Sequence, residues 1–143
     1  MPEVLVATDA PWMRDEIAAV LSSPEFTVRH INDGADVRAA VAENPPDLAI
    51  LDLQIGNQGG MATCLDLRLE ESGGRLDHLP VLMLLDRRAD VFLARRSEAE
   101  GWLVKPLDPI RLRKAIRALL AGGSYHDDSY RPPTVAAAGA PTP

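Results

Sequence analysis

The apolar run "LAIL" at 48 to 51 stops on one carboxylate, Asp52, and then gives way to the Gly- and amide-rich stretch "QIGNQGGM". A second acid, Asp9, follows the early run "VLVAT", and Lys105 closes the later run "GWLVK". A near-continuous hydrophobic run reads as a strand of a parallel sheet whose two faces are both covered by helices. In open α/β sheets, ligands bind and chemistry happens in the crevice at the carboxyl ends of the strands. Two carboxylates and an amine gathered there would form a charged pocket, in which Asp52 is either a reactive group or an inherited residue in a silent site.

The elements that would position these groups are legible along the chain. Five apolar runs recur, "VLVAT" (4 to 8), "FTVRHI" (26 to 31), "DLAILDL" (47 to 53), "PVLMLL" (80 to 85) and "GWLVK" (101 to 105), each followed by a helix-like stretch. "PWMRDEIAAVLSS" puts Met13, Ile17, Val20 and Leu21 on one helical face, with Pro11 suited to the first turn. "GADVRAAVAEN" carries Val37, Ala40 and Val41 on one side and ends at Pro45 and Pro46. "GMATCLDLRLEES" places Met61, Cys64, Leu65 and Leu69 on a common stripe, and "RRADVFLARRSEAE" suits a short helix through Val91, Phe92 and Arg95. The clearest helix is "DPIRLRKAIRALLAGG", with Asp108 as N-cap, Pro109 in the first turn, apolar Ile110, Leu112, Ile116, Leu119 and Leu120, and Gly122 as a stop. Strict alternation of strand and helix implies parallel strands with right-handed crossovers. The expected fold is α/β, a three-layer flavodoxin-like sandwich with a five-stranded parallel sheet in order 2-1-3-4-5 and five helices. That order brings Asp9, Asp52 and Lys105 to one edge.

The 143 residues fit one domain, and 15 Lys+Arg against 21 Asp+Glu give a net charge of -6, which disfavours nucleic acid as the principal partner. The single cysteine, Cys64, cannot form an internal disulfide and reads as core. His30, His78 and His126 are scattered without metal-ligand spacing. The start "MPEVLVATDAP" lacks the pattern of a signal peptide, and the longest apolar stretch, "LPVLMLL", is too short to cross a bilayer, so the expected location is cytoplasmic with no direct membrane insertion. The folded unit is expected over residues 1 to 121. Residues 122 to 143, "GGSYHDDSYRPPTVAAAGAPTP", are rich in Pro and Ala without amphipathic period and are expected to be a tail, disordered unless bound to a partner.

Over residues 3 to 121 the sequence resembles the receiver domain of two-component response regulators. The carrying signals are the acid after the first strand, "LDLQIGNQGGM" at the third and "GWLVKPL" at the fifth. The resemblance implies that Asp52 is the phosphoacceptor, that Asp9, Asp52 and the backbone carbonyl of Gln54 are magnesium ligands, that Lys105 clamps the phosphate, and that the Lys105-Pro106 bond is cis. The chemistry is coherent. A carboxylate can attack a phosphoryl group in line when a metal and a cation meet the transferring charge, and Mg²⁺ takes oxygen ligands while keeping several waters.

Three positions depart from the family pattern. The adjacent pair of acids after the first strand is Thr8-Asp9, which removes a negative charge and should weaken Mg²⁺ or abolish its binding. The hydroxyl residue that ends the fourth strand is Leu85, which offers no donor, and Asp86 follows it, where its charge would repel an incoming dianion. The Met-Pro after the phosphoacceptor is Ile55-Gly56, and the later Asp-Gly is Gly59-Gly60.

Two functions follow. The first is a degenerate, stand-alone receiver that acts as a protein-docking module. By resemblance it would use the face of the fourth helix, fifth strand and fifth helix, with Arg95, Arg96, Trp102, Leu103 and Arg113 as partner-binding candidates and Tyr125 and Tyr130 of the tail as aromatic anchors. Trp102 matches the family aromatic that rotates on activation and is expected to pack as a fixed contact on Leu85. The sequence is similar to the stand-alone receivers of actinobacteria, of the mycobacterial type associated with the proton-pumping NADH dehydrogenase. That implies an accessory subunit of a large respiratory complex, contributing no redox group and reaching the cytoplasmic side of the inner membrane only through its partner. The second is a phosphorylation-dependent signalling receiver that takes a phosphoryl group on Asp52 from a histidine kinase. Neither is an enzyme in its own right. A flavin site on the same fold is disfavoured, because "DAPW" after the first strand lacks a run that could cradle a phosphate.

Overall fold

The structure is a computed structural model and describes residues 2–127. Strands β1 (Glu3–Ala7), β2 (Thr27–Ile31), β3 (Leu48–Asp52), β4 (Val81–Leu85) and β5 (Gly101–Val104) alternate with helices α1 (Pro11–Val20), α2 (Val37–Glu43), α3 (Gly60–Ser72), α4 (Val91–Arg96) and α5 (Pro109–Leu120), and a two-residue strand β6 (Tyr125–His126) follows. The sheet runs β2-β1-β3-β4-β5-β6, every pair parallel. The expected three-layer fold and strand order are therefore present. The count differs by one strand, since His126 pairs with Trp102 and Tyr125 with Gly101 inside the segment expected to be a tail. No local period announces β6, because what holds it are non-local contacts to β5 and α5. Residues 128–143, with Tyr130, lie outside the described residues.

Alternation along each strand sorts the core into two layers. Leu5, Ala7, Leu51, Met83, Leu85 and Trp102 face α2, α3 and α4, while Val4, Val6, Ile50, Leu84 and Leu103 face α1 and α5. Both faces of the central strands are buried, which is why they read as continuous apolar runs. Met13, Ile17, Val20 and Leu21 pack as the helical period of α1 requires, and Asp108 caps α5 by accepting the Ile110 N–H at 2.8 Å. Ile110, counted with the apolar face of α5, is instead 67% exposed, because it occupies the first turn, beyond the sheet's edge.

Helix α3 is rotated from its expected face. Thr63, Cys64, Leu67 and Arg68 point inward, while Leu69 is 64% exposed and Met61 and Leu65 are only half-buried. The rotation follows from Arg68, whose guanidinium is fully matched inside the protein. It donates to Glu71 (2.7 Å), the Leu79 carbonyl (2.8 Å), the Glu98 carbonyl (2.9 Å) and Glu100 (2.6 Å). Glu71 and Glu100 in turn accept the backbone N–H groups of Leu79 and Val81, and His78 bridges the two carboxylates at 3.0 and 2.8 Å. This cluster fastens α3 to the leading ends of β4 and β5. Cys64 is core as expected, and burial pushes its thiol up to about 11.

One close approach fixes the loop after β3. A Cβ at Gly34 would stand 1.7 Å from the Gln58 carbonyl oxygen, and the Gly34 N–H donates to the Gly56 carbonyl at 3.1 Å. Only glycine lets the two backbones meet there.

Removing the arginine should expose the cost of its partners. Arg68→Ala is expected to lose about 2–4 kcal/mol in urea unfolding at neutral pH, since it strands two carboxylates and two carbonyls. Burial would raise the Glu71 carboxyl, but the Leu79 N–H, His78 and Arg68 outweigh it and hold it below its ordinary 4.5. Its contribution is thus present above pH 4.5 and lost as pH falls through the lower folded value. Glu71→Gln should flatten that acid limb of the stability curve, and an unchanged limb would refute the assignment.

Candidate functional site

Asp52 is the last residue of β3, and register places it beside Leu84, with Ala7 of β1 and Val104 of β5 ending at the same edge. The expected convergence of Asp52 with Lys105 is met, since Lys105 Nζ donates to Asp52 Oδ1 at 2.7 Å. The Gln54 N–H donates to the same oxygen at 3.1 Å, and the Thr8 hydroxyl donates to Oδ2 at 2.8 Å. Asp52 is only 2% exposed. Both of its oxygens are therefore committed to donors of this chain.

Lys105 is shared. Its ammonium also reaches Asp86 Oδ1 at 2.8 Å, so the acid that follows Leu85 is held on the lysine. Burial alone would lower the Lys105 ammonium, but hydrogen bonds to Asp52 and Asp86, with their charges, outweigh it and raise its pKa above the ordinary value. The ammonium therefore stays charged at neutral pH and gives up its proton only in alkali, above the ordinary lysine value. The Lys105-Pro106 bond is cis.

Among the described residues, the lysine pairs with Asp52 and Asp86, and Asp9 is held elsewhere. It is exposed, and its Oδ2 accepts the Gly56 N–H at 2.9 Å. A proline, which the family carries at this place, has no N–H to give. The glycine thus ties Asp9 to the β3–α3 loop. Gln54, the third expected metal ligand, is exposed on the same loop.

These residues do not fit a magnesium ion as they are arranged. Where a second acid would offer an oxygen, Thr8 offers a proton; Asp52 Oδ1 faces the Lys105 ammonium and the Gln54 N–H, and Asp9 Oδ2 faces the Gly56 N–H. Among the described residues, no three His, Cys, Asp or Glu side chains are placed to hold a metal. The arrangement can do one thing without further help, which is to keep a buried carboxylate satisfied.

The expected partner-binding residues separate into two groups. Arg95, Arg96 and Arg113 are exposed, and Tyr125 is half-buried in β6. Trp102 and Leu103 are 3% and 2% exposed and so offer a partner no surface. The reason is that β5 has neighbours on both sides and core beneath both faces. Trp102 shares its core layer with Leu85 and is further covered by His126, whose ring stacks on it at 4.1 Å, and by Arg95 at 5.5 Å. Sequence reasoning missed the lysine's second acid, the buried Arg68 and the covering His126. Only Asp86 had a signal, its unusual position after Leu85.

Among the described residues no helix is long and apolar enough to cross a membrane. The family model for the response regulator receiver domain matches residues 4–117. The chain is 33% identical over 124 residues to the transcriptional regulatory protein GltR of Pseudomonas aeruginosa, covering 85% of this chain and 50% of that protein. It is 32% identical over 119 residues to the DNA-binding response regulator MtrA of Mycolicibacterium smegmatis, covering 82% and 50%. The chain thus spans about half the length of these curated relatives. Among solved structures, a two-component response regulator of the LuxR family from Aurantimonas sp. superposes with a TM-score of 0.78 at 22% identity, covering 91% of this chain and 92% of that one. The chemotaxis response regulator CheY4 of Vibrio cholerae does so with 0.73 at 24% identity, covering 82% and 97%; these two likenesses bear on the fold alone.

If Thr8 is what keeps a metal out, Thr8→Asp should bind Mg²⁺ at least about tenfold more tightly than the parent in calorimetric titration, by restoring an oxygen ligand and a negative charge. Equal affinities would show that Thr8 is not the determinant.

Proposed function

The chain belongs to the response regulator receiver domain family, and on that premise we propose that it is a receiver that works by docking onto a protein partner while its phosphoacceptor site stays in one state. Receiver domains are signalling modules of two-component systems and act through protein partners such as kinases, generally without catalysis of their own. The observation that carries the docking reading is the self-satisfied carboxylate. A phosphoryl group arriving at Asp52 would have to displace Thr8 or Lys105, would find Leu85 where a hydroxyl should grip it, and would meet the charge of Asp86.

The surface supports the same reading. Neither α4 nor α5 contains a carboxylate, and Arg95, Arg96, Arg113, Lys114 and Arg117 are exposed on them, in a chain whose net charge is -6. Segregated positive charge of this kind steers association with an acidic protein surface. In this reading Arg95, Arg96 and Arg113 are the contacts, the receiver unit of residues 1 to 121 carries β6 with Tyr125 on its sheet, and the partner-facing tail is the part beyond residue 127, with Tyr130. A large respiratory complex, the proton-pumping NADH dehydrogenase, is the partner that the stand-alone actinobacterial receivers point to. It would hold the protein at the cytoplasmic side of the inner membrane.

A second reading is favoured by the family membership itself and by the retained Asp52–Lys105 contact of 2.7 Å. In it, Asp52 accepts a phosphoryl group from a histidine kinase with Lys105 as the phosphate clamp, and Asp9, Asp52 and the Gln54 carbonyl would have to rearrange to hold the metal.

Native affinity purification of the tagged protein from its own cells, compared with Asp52→Asn and with Arg95→Glu/Arg113→Glu, separates the two. Docking predicts a partner at fixed stoichiometry that survives Asp52→Asn and falls at least about tenfold with the charge reversals. A partner lost in Asp52→Asn, together with one phosphoryl mass added to the parent by a small phosphodonor and Mg²⁺, would establish the signalling reading instead.

A further inference from the structure

Strand β5 would be the edge of the sheet without its last neighbour, and an uncovered strand edge is a template for an incoming extended segment. Here it is filled from within. Tyr125 N–H donates to the Glu100 carbonyl at 3.3 Å and Asp127 N–H to the Trp102 carbonyl at 3.1 Å. The fit goes beyond backbone pairing. The His126 ring lies on Trp102 with an interplanar angle of 6°, and the next residue, Asp127, accepts the Val104 N–H at 2.9 Å and Arg111 at 3.3 Å. Asp127 is buried, although it stands in a polar, Gly-led segment with no apolar period. The receiving side is shaped to match, since a Cβ at Gly101 would stand 2.8 Å from the Tyr125 carbonyl oxygen.

We propose that the outer edge of β5 is an acceptor site for an extended peptide carrying a ring residue followed directly by a carboxylate, and that Tyr125–Asp127 is its resident, displaceable occupant. Trp102 reads the ring, and the Val104 N–H with Arg111 reads the carboxylate. The occupant is a strand of two residues at the edge of the sheet, shorter than any of β1 to β5, so its opening exposes little else of the core. The Trp102 indole N–H is buried without a partner among the described residues, so the ring beneath His126 carries an unmet donor. The segment of matching chemistry that can replace it is the same segment of a second copy of this chain. The strap thus sets whether β5 and Trp102 are available, whatever happens at Asp52.

The test uses the full chain with Trp12→Phe, so that Trp102 alone reports. Acrylamide quenching should rise several-fold in His126→Ala/Asp127→Ala relative to the parent. A synthetic peptide of residues 123 to 127 should reverse that rise in the double variant and have no effect on the parent. Quenching that stays at the parental level, or a rise that the peptide leaves unchanged, would overturn the proposal. Should the double variant lose its far-UV circular dichroism, Arg111→Gln, which removes one strap contact from the surface of α5, should give a smaller rise, and no rise would count against the strap. Neither readout depends on a partner or on phosphorylation, so failure here is distinct from failure of the docking reading.

Discussion

A carboxylate sealed at the end of a central strand has to be met by donors from its own protein, and the trailing edge of this sheet is organised around meeting Asp52. Three parts of the chain contribute, Thr8 from beyond β1, Gln54 from the loop after β3 and Lys105 from beyond β5. Because burying an unmatched charge costs far more than any one of these bonds contributes, the three strands must end together. The register of the sheet and the closure of the pocket are in that sense one constraint.

A second cation does the same work at the opposite edge. Arg68 joins Glu71 and Glu100 where β4 and β5 begin, as Lys105 joins Asp52 and Asp86 where β3 to β5 end. Strands β4 and β5 are therefore clasped at both ends by a cation between two carboxylates. Between the clasps lie Leu85 and Trp102, the positions at which a receiver couples its site to its surface. Leu85 carries no hydroxyl, and Trp102 is covered by His126 and Arg95.

The sequence was a good guide wherever local period and core burial coincide. The five principal strands, α1 and the capped α5 follow from apolar spacing and from Asp108 and Pro109, and the gathering of Asp52 and Lys105 follows from topology. It failed where a polar side chain is satisfied by distant groups. Arg68 turned α3 because its partners lie 30 or more residues away on the Glu98 and Glu100 side, which no window on α3 contains. The strand at Tyr125–His126 was hidden for the same reason, its bonds being to β5 rather than to its own neighbours. In the pocket, Thr8 and Leu85 were legible as departures by residue type alone. The sharing of Lys105 with Asp86, and of Asp9 with Gly56, needed coordinates.

The seam at Gly34 bears on how such a domain can change over time. Its backbone lies against Gln58, on the loop that leads away from Asp52, so any side chain at 34 would pry the loop from the body of the protein. At Thr8 and Asp86, by contrast, the contacts with the pocket are made by side-chain groups, a hydroxyl on Asp52 and a carboxylate on Lys105. Scaffold and chemistry thus rest on different atoms, main chain in one case and side-chain groups in the other. What the pocket does turns on single hydroxyls and carboxylates, while the backbone that presents it turns on a residue with no functional group at all.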